Sequence, residues 1–555
     1  MPGFNLHSIK IDNQSYDFDG LTVNKTHESQ RFNLSVQHPK DYPFYFDEKG
    51  NVYSEGIIYN DEIEEVAETI AQHIHNEEFD QIASVLLPLD GEFVFIISEP
   101  SKRRIYVIND RWGRLPVYYS VNNSGYVVSR NISFITNNTT TTLNKEEVAC
   151  SLLLGLNLGE NTHWNEIKRM PPHCILDIDQ KTNTIQLHRF FEINSVSGTA
   201  PLEDAASEIT NKLTQALDNR IAKLSNPSLS LSGGLDSRLT LAVLKTLNQS
   251  MPLITYLRPN ESHDKMDVFS AKKITSALDL SKNHEITTLP EASFEDSKQL
   301  IQFKKGLNCA SMGYILPYHR MHETRGISSI TDDGAGKFFR DLHPFQKLSS
   351  MKQLIAYVVK QHGSSSIRNS ADICGLSEKK LKSYLADRFN SYPVASFNDK
   401  YAYFYIRDVG INWSYEGGDR NRQFTWITTP FYNPKVIELC LSLSQADKRH
   451  GRLFNVLFKK FPGNLEEIIN PNWNQSVENE KTIKKLYDKQ RLKSRIPSFL
   501  LDMKNRIPLD HFIFNKELKI LIEADSQEFD LSKIKKKHSN TFYWQLLTLL
   551  LLMRD

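Results

Sequence analysis

The sequence predicts two consecutive mixed domains, an α+β unit followed by an α/β unit built on a parallel sheet. Three observations carry this. The chain has 555 residues, too many for one hydrophobic core. Residues 4 to about 135 read as short strands between turn signals, with one helix among them. From about residue 201, strands alternate with amphipathic helices, including a strand, a glycine turn and a helix across 228–247.

In the first unit the turn signals are Asp19-Gly20, Glu48-Lys49-Gly50-Asn51, Pro100-Ser101-Lys102 and Asn122-Asn123-Ser124-Gly125. The helix spans about Asp61 to Ile74, with Ile63, Val66, Ile70 and His73 on one face. Gly91–Ile97 and Ile105–Ile108 read as partner strands. His73 and His75 stand two apart and point to different helix faces, so they are expected to be solvated or packed, not metal ligands.

In the second unit a helix covers about 201–224, with Ile209, Leu213, Ala216, Leu217, Ile221 and Leu224 on one side. It leads into a strand at Ser228–Leu231, a helix at 238–247, a strand at Pro252–Leu257 and a helix around Asp267–Leu278. Such alternation indicates a parallel sheet with its ligand at the C-terminal ends of the strands.

Composition excludes several classes. With 67 Lys and Arg against 66 Asp and Glu, no global field attracts nucleic acid or an anionic membrane. The five cysteines, at 150, 174, 309, 374 and 440, form no C-x-x-C pair. A disulfide framework and a zinc site are therefore not expected, and a reduced cytoplasm is. Met-Pro-Gly-Phe-Asn-Leu-His is no signal peptide, and the apolar run Leu546–Met553 is too short to span a bilayer.

The chemistry centres on Leu229-Ser230-Leu231-Ser232-Gly233-Gly234-Leu235-Asp236-Ser237-Arg238. Successive glycines permit a tight turn that exposes N–H groups, and the next helix adds unsatisfied donors and its positive dipole end. Ser232 and Ser237 add hydroxyls, and Asp236 can hold a magnesium ion bridging phosphate oxygens. This is not a Walker loop, because Arg238 stands where a Lys would be needed, and Gly334-Ala335-Gly336-Lys337 ends in Phe338. The plain alternative is a turn with no ligand. Ser-Gly-Gly-Leu-Asp-Ser resembles the pyrophosphate loop of the ATP pyrophosphatases, which split ATP between its α- and β-phosphates.

A wider resemblance follows. Tyr45–Gly50 with Gly56–Asn60, Leu89–Phe93 and Asn109-Asp110-Arg111-Trp112-Gly113-Arg114 are similar to the amidotransferase domain of glutamine-dependent asparagine synthetases. Ile167–His173, Arg189-Phe190-Phe191 and Trp544–Leu549 resemble later parts of the same family. The resemblance implies a degenerate Ntn-amidotransferase-like sandwich over 1–195. It also implies an ATP-pyrophosphatase (adenine nucleotide α-hydrolase-like) domain over 196–555, with a helical insertion at about 342–410. It assigns ATP binding to Leu231, Ser232, Gly233, Gly234, Leu235, Asp236, Ser237, Leu257, Arg258, Thr331 and Gly334, and Mg²⁺ to Asp236. Asp333 and Lys337 fall in the second signature as catalytic candidates, Asp333 to orient an amine. Arg258 reads equally as a surface arginine.

The departures matter as much. Pro2 stands where the family has its nucleophilic Cys, and Glu55 replaces an oxyanion-stabilising amide. Gly336 falls on the second magnesium-binding Asp, leaving Lys337, Asp332 or Asp341 to compensate, or ATP turnover to be lost. Trp426 and Thr428 replace Glu and Arg, which suits a larger acceptor or simple core packing. No lysine occupies the window after Ile468, and Lys481, Lys484 and Lys485 come late. These three read equally as the solvated face of a helix, basic residues continue through Lys493 and Arg495 and return at Lys533, and the run Lys535-Lys536-Lys537 is open to an anionic partner, with a solvated helix end as the default.

The expected function is an ATP-dependent, AMP-forming amide ligase without glutaminase activity, open to an intramolecular cyclase role, as in β-lactam synthetases and lasso-peptide cyclases. A non-catalytic homologue that keeps nucleotide binding is the alternative. The expected partners are a small-molecule or peptide carboxylate and an amine acceptor, with a homodimer open and no nucleic acid or membrane.

Overall fold

The structure, a computed structural model, describes residues 2–9, 23–28, 33–39, 42–47, 51–258, 261–291, 293–494, 506–524, 529–534 and 537–554. The Asp19-Gly20 turn, Glu48 to Gly50, Arg495 and Lys535-Lys536 lie outside the described residues, as does the side chain of Lys493.

Alternation in the first part builds two faces per strand. The strands are β1 (Gly3–His7), β2 (Val23–Glu28), β3 (Asn33–His38), β4 (Phe44–Phe46), β5 (Val52–Ile58), β6 (Gly91–Glu99), β7 (Arg104–Asn109), β8 (Tyr118–Asn122), β9 (Gly125–Ser129), β10 (Lys168–Arg169), β11 (Cys174–Asp179) and β12 (Thr184–Arg189). Among the described residues they form two antiparallel sheets, ordered β10-β8-β9-β1-β3-β2 and β12-β11-β7-β6-β5-β4. On β6, Val94 and Ile96 join Phe4, Leu6 and Val36 of the other sheet in one core. Phe93, Phe95 and Ile97 point the other way, into a core with Val66, Ile70, Ile74, Ile82 and Leu86. A period of two divides the strand between a sheet-on-sheet layer and a helix-on-sheet layer.

The second layer corrects one expectation. The helix read at 61–74 runs Ile63–His75, but a further helix, Phe79–Leu86, follows it and buries Ile82 and Leu86. With only eight residues it gives too short a periodic signal to separate from a loop. His73 and His75 each meet a carboxylate, Glu78 at 2.8 Å and Glu99 at 3.1 Å.

The second part contains β13 (Pro227–Ser230), β14 (Leu253–Leu257), β15 (His284–Thr288), β16 (Ser328–Ile330) and β17 (Ile427–Thr428). All pair in parallel, ordered β15-β14-β13-β16-β17. The helices Leu235–Thr246 and Ser262–Ala277 connect β13 to β14 and β14 to β15. The chain then crosses to the other side of β13, so the strand order reverses between β13 and β16. Loops diverge from the carboxyl ends at such a switch point and leave a crevice.

Two boundaries differ from the sequence expectation for physical reasons. The helix placed at 238–247 begins at Leu235 behind Gly234, which puts Asp236 and Ser237 in its first turn. The helix Leu202–Lys223 buries Arg220 where a continuous apolar stripe would have Ile221, which is half-buried. Arg220 is buried because both of its terminal nitrogens reach Asp90 at 2.7 Å and its guanidinium lies over Tyr59, joining the helix to the antiparallel part. Between residues 342 and 410 lie the helices Met351–His362, Ile367–Ile373, Glu378–Asn390 and Phe397–Phe404. Ser350, Ser366, Ser377 and Ser396 cap them by accepting first-turn N–H bonds, which explains the serine-rich turns.

Burial sets one pH response. His173 is 1% exposed, and burial, reinforced by the Arg111 cation, lowers its pKa from 6.5 to about 4. Below pH 6.5 the unfolded chain takes a proton that the folded chain refuses until about pH 4. The group therefore removes stability across that window, by about 1.4 kcal/mol per pH unit. His173→Asn, which tolerates the local φ of 49°, should lose less of its urea midpoint than wild type on acidification from pH 6.5. An equal acid slope in both proteins would contradict this.

Candidate active site

The loop after β13 is held closed by its own polar atoms. Ser232 N–H donates to Ser237 Oγ at 3.2 Å, the two hydroxyls lie 3.0 Å apart, and Gly234 N–H donates to Ser232 Oγ at 3.2 Å. Leu231 N–H bonds Ile254 O at 2.9 Å, and Gly233 N–H bonds Asp267 Oδ1 at 3.0 Å. Gly233 is required by close approach. A Cβ there would stand 2.6 Å from Ser270 Cβ and 2.8 Å from Pro471 Cγ. The first-turn N–H groups at Leu235, Asp236 and Ser237 have no carbonyl four residues earlier inside the helix, so they remain donors for an anion.

Asp236 is the meeting point of the two loops. Its Oδ2 accepts from Arg340 Nη2 at 2.9 Å, while its Oδ1 is buried without a partner. Asp332, on the loop after β16, faces it. Burial and then the negative charges of Asp236 and Asp333 push the Asp332 carboxyl up to about 7. Asp333 behaves oppositely. Burial would raise it, but Lys337, 3.2 Å away, and Arg114 hold it below the usual carboxylate range. Gly334 follows at φ 100°, and a Cβ there would meet the Tyr432 ring at 2.7 Å. Thr331 N–H donates to Thr428 O at 2.8 Å, fixing the loop's start.

Beside these groups lies a cavity of about 250 Å³, lined at this end by Arg114, Thr331, Asp332 and Asp333. Arg114 comes from the antiparallel part, where it pairs with Glu92 and stacks on Tyr432 at 4.5 Å. Among the described residues no three of His, Cys, Asp and Glu gather to hold a metal. Two carboxylates with one orphaned oxygen nevertheless suit Mg²⁺, which keeps its remaining positions for water and phosphate. Asp236 and Asp332 would hold it, and it would supply charge neutralisation at phosphate oxygens. Asp341 is not available for this, because it is occupied by Arg449 at 2.5 Å and by His343 N–H at 3.0 Å.

Other expected residues have different surroundings. Arg258 is bound through two nitrogens to Asp264 at 2.8 Å and stacks on Tyr314 at 4.1 Å, so its cation is already neutralised. Leu257 O accepts from Leu289 N–H at 2.9 Å. Trp426 and Thr428 face away from the cavity. The indole donates to Tyr59 Oη at 3.0 Å and Thr428 Oγ1 donates to Glu92 at 3.0 Å, while Ile427 between them lines the cavity. The segment Asn470–Asn474 crosses the loop without a lysine, and Lys484 lines a separate basic pocket with Arg449, His450, Tyr487 and Arg491.

Sequence reasoning missed Arg238 and Arg340. Arg238 is fully buried and donates to the carbonyls of Gly233, Leu465, Ile468 and Ile469 at 2.8–3.3 Å. It clamps the covering segment onto the loop. For Arg238 the signal in the sequence was an arginine one place past the motif.

The position where the resemblance places an oxyanion-stabilising amide is filled by paired charged side chains. Glu55, fully buried, accepts from Tyr53 Oη at 2.7 Å and pairs with Arg130, which also reaches Asp419 and Pro116 O. Pro2 is buried, and Gly3, at φ 130°, leaves no room beside Arg130 Cβ.

Comparison with known proteins bears on both parts. Residues 68–191 match the glutamine amidotransferase domain family. Asparagine synthetase [glutamine-hydrolyzing] from Gallus gallus is 23% identical over 313 residues, 51% of this chain and 50% of that protein. The chain thus spans about half the length of that relative. Glutamine phosphoribosylpyrophosphate amidotransferase from B. subtilis, complexed with ADP and GMP, aligns at 10% identity over 56% of this chain and 69% of that one, with a TM-score of 0.19. An allosteric regulatory enzyme of purine biosynthesis aligns at 11% identity over 65% and 82%, also at 0.19. Overlaps that small carry no argument about shape. No helix among the described residues is long and apolar enough to cross a membrane. The sequence comparisons thus give a segment that matches the glutamine amidotransferase domain family and a likeness to asparagine synthetase.

Proposed function

We propose that the chain is an ATP-dependent, AMP-forming amide ligase in which the Ser232–Ser237 loop binds ATP and the antiparallel part is a scaffold without glutaminase activity. The observation that carries this is the convergence of Asp236, Asp332, Asp333, Lys337 and Arg340 at the carboxyl edge of the parallel sheet, beside a cavity. A substrate carboxylate oxygen attacks the α-phosphorus and pyrophosphate leaves. An amine then attacks the acyl carbon and AMP leaves with the bonding pair. The loop donors and Arg340 hold the departing phosphates, and Asp333, kept ionised by Lys337 and Arg114, orients the amine and accepts its proton. One site that holds acid and amine together gains the effective molarity of an oriented pair.

The ion-filled pocket around Glu55 supports the scaffold role. A carboxylate already bound by Arg130 and Tyr53 cannot stabilise an oxyanion, and Pro2 supplies no thiol. The amine then comes from ammonia, a second substrate or the same molecule. Asp333→Ala should slow amide formation by about 10²-fold and ATP–pyrophosphate exchange far less, using carboxylates first found by screening for stimulated pyrophosphate release. Equal losses in the two assays would contradict the role given to Asp333.

A second reading rests on one contact. Arg340 already neutralises Asp236, as expected of a homologue that binds nucleotide without turning it over. ATP binding with no pyrophosphate release for any acid in the screen would favour it.

A further inference from the structure

We propose that the far end of the cavity is an anion-recognition subsite built on Arg420, which selects substrates having an apolar body and a terminal carboxylate. This rests on the ligase reading above, with the cavity beside Asp333 taken as the place of its substrate.

Arg420 lies on the short helix Glu416–Asn421, is 2% exposed and lines the cavity. Its bonds go to neutral oxygens, Nε to Asn421 Oδ1 at 3.0 Å and Nη1 to Asn308 Oδ1 at 3.4 Å. Among the described residues it has no carboxylate partner. Arg130, Arg114 and Arg220 each have one, and Arg238, which has none, is instead held by four backbone carbonyls. Burial lowers the Arg420 pKa only to about 10, so the group remains a cation at neutral pH. An isolated buried charge costs stability unless an anion joins it, and in a structure without ligands the place for that anion is the cavity.

A second observation points to the same place. His319, also lining the cavity and 4% exposed, has both ring nitrogens buried without a partner. Burial, and then the Arg420 charge, keeps it neutral, so it offers one donor and one acceptor. The lining also includes Tyr256, Met312 and Ile315, which give the cavity an apolar wall. The cavity thus carries a cation without a carboxylate partner, an apolar wall and, with Arg114, the carboxylates Asp332 and Asp333. A ligand with its carboxylate on Arg420 extends its body along the wall toward Asp333.

Calorimetric titration with 4-phenylbutyrate, and with the neutral 4-phenylbutyramide, tests this on wild type, Arg420→Leu and Met312→Trp, each also titrated with ATP and Mg²⁺. Wild type should bind the acid at least about tenfold more tightly than the amide, as for a hydrogen bond to a charged group. Arg420→Leu should lose that preference and melt no lower than wild type. Met312→Trp, which fills the wall and leaves the guanidinium, should lose the acid even if Arg420→Leu fails to fold. No binding of the acid by wild type, equal binding of acid and amide, or unchanged acid binding in either variant would overturn the subsite. Loss of ATP binding in wild type alone would overturn the ligase reading and leave the subsite standing.

Discussion

Asp236→Ala is expected to reduce carboxylate-dependent ATP–pyrophosphate exchange by about 10²–10³-fold. Its two oxygens serve different partners, one facing Arg340 at 2.9 Å and one buried without any. Removing both leaves the Asp332 charge alone at the cation position and frees Arg340 to seek Asp332 instead. The first-turn donors of the helix Leu235–Thr246 remain, so binding of pyrophosphate itself should weaken less than exchange. Asp236→Asn separates charge from shape, because it keeps an oxygen near Arg340 but loses the anion. Its exchange rate should lie near that of the alanine variant. A rate within about threefold of wild type in either variant would remove Asp236 from the phosphate chemistry.

Arg130→Ala is expected to cost about 3–5 kcal/mol in the first urea transition. Arg130 joins Glu55 of the antiparallel part to Asp419 beside the parallel sheet, with all three side chains buried. Truncation strands Glu55 with Tyr53 as its remaining bond, while Asp419 keeps Lys304. The cost arises chiefly from the unpaired carboxylate. Adding Glu55→Gln to the variant should therefore recover a good part of the loss, since a neutral amide is cheaper to bury. The same substitutions should leave ATP binding unchanged, because Glu55 and Arg130 lie in the antiparallel part, away from the loop after β13. A cost below about 1 kcal/mol, the range of surface pairs, would contradict the network's role in joining the two parts.

What the sequence revealed was local. The glycine spacing of Ser232–Ser237 and the apolar periods around it were enough to anticipate a strand, a turn and a helix, and strand–helix alternation anticipated the parallel sheet. The helix Ile63–His75 was legible for the same reason, a long amphipathic run. Contacts between distant residues were not legible. Arg340 meets Asp236 across 104 positions, and Trp426 meets Tyr59 across 367. No spacing rule reports such pairs. Asp332 shows the limit most clearly. From sequence it was one of three substitutes for the aspartate missing at Gly336, and only the fold puts it beside Asp236 while giving Asp341 to Arg449. Trp426 was ambiguous between pocket and core because one residue of register decides which face a side chain takes, and at the strand Ile427–Thr428 it is Ile427 that lines the cavity.

The loop after β13, Asp236 included, is the proposed ATP site. Calorimetric titration of the full chain with ATP and Mg²⁺ tests it most directly. The expected result is one site per chain in wild type, lost or weakened at least about tenfold in Asp236→Ala. Absence of binding in wild type, or equal affinity in the two proteins, would contradict it.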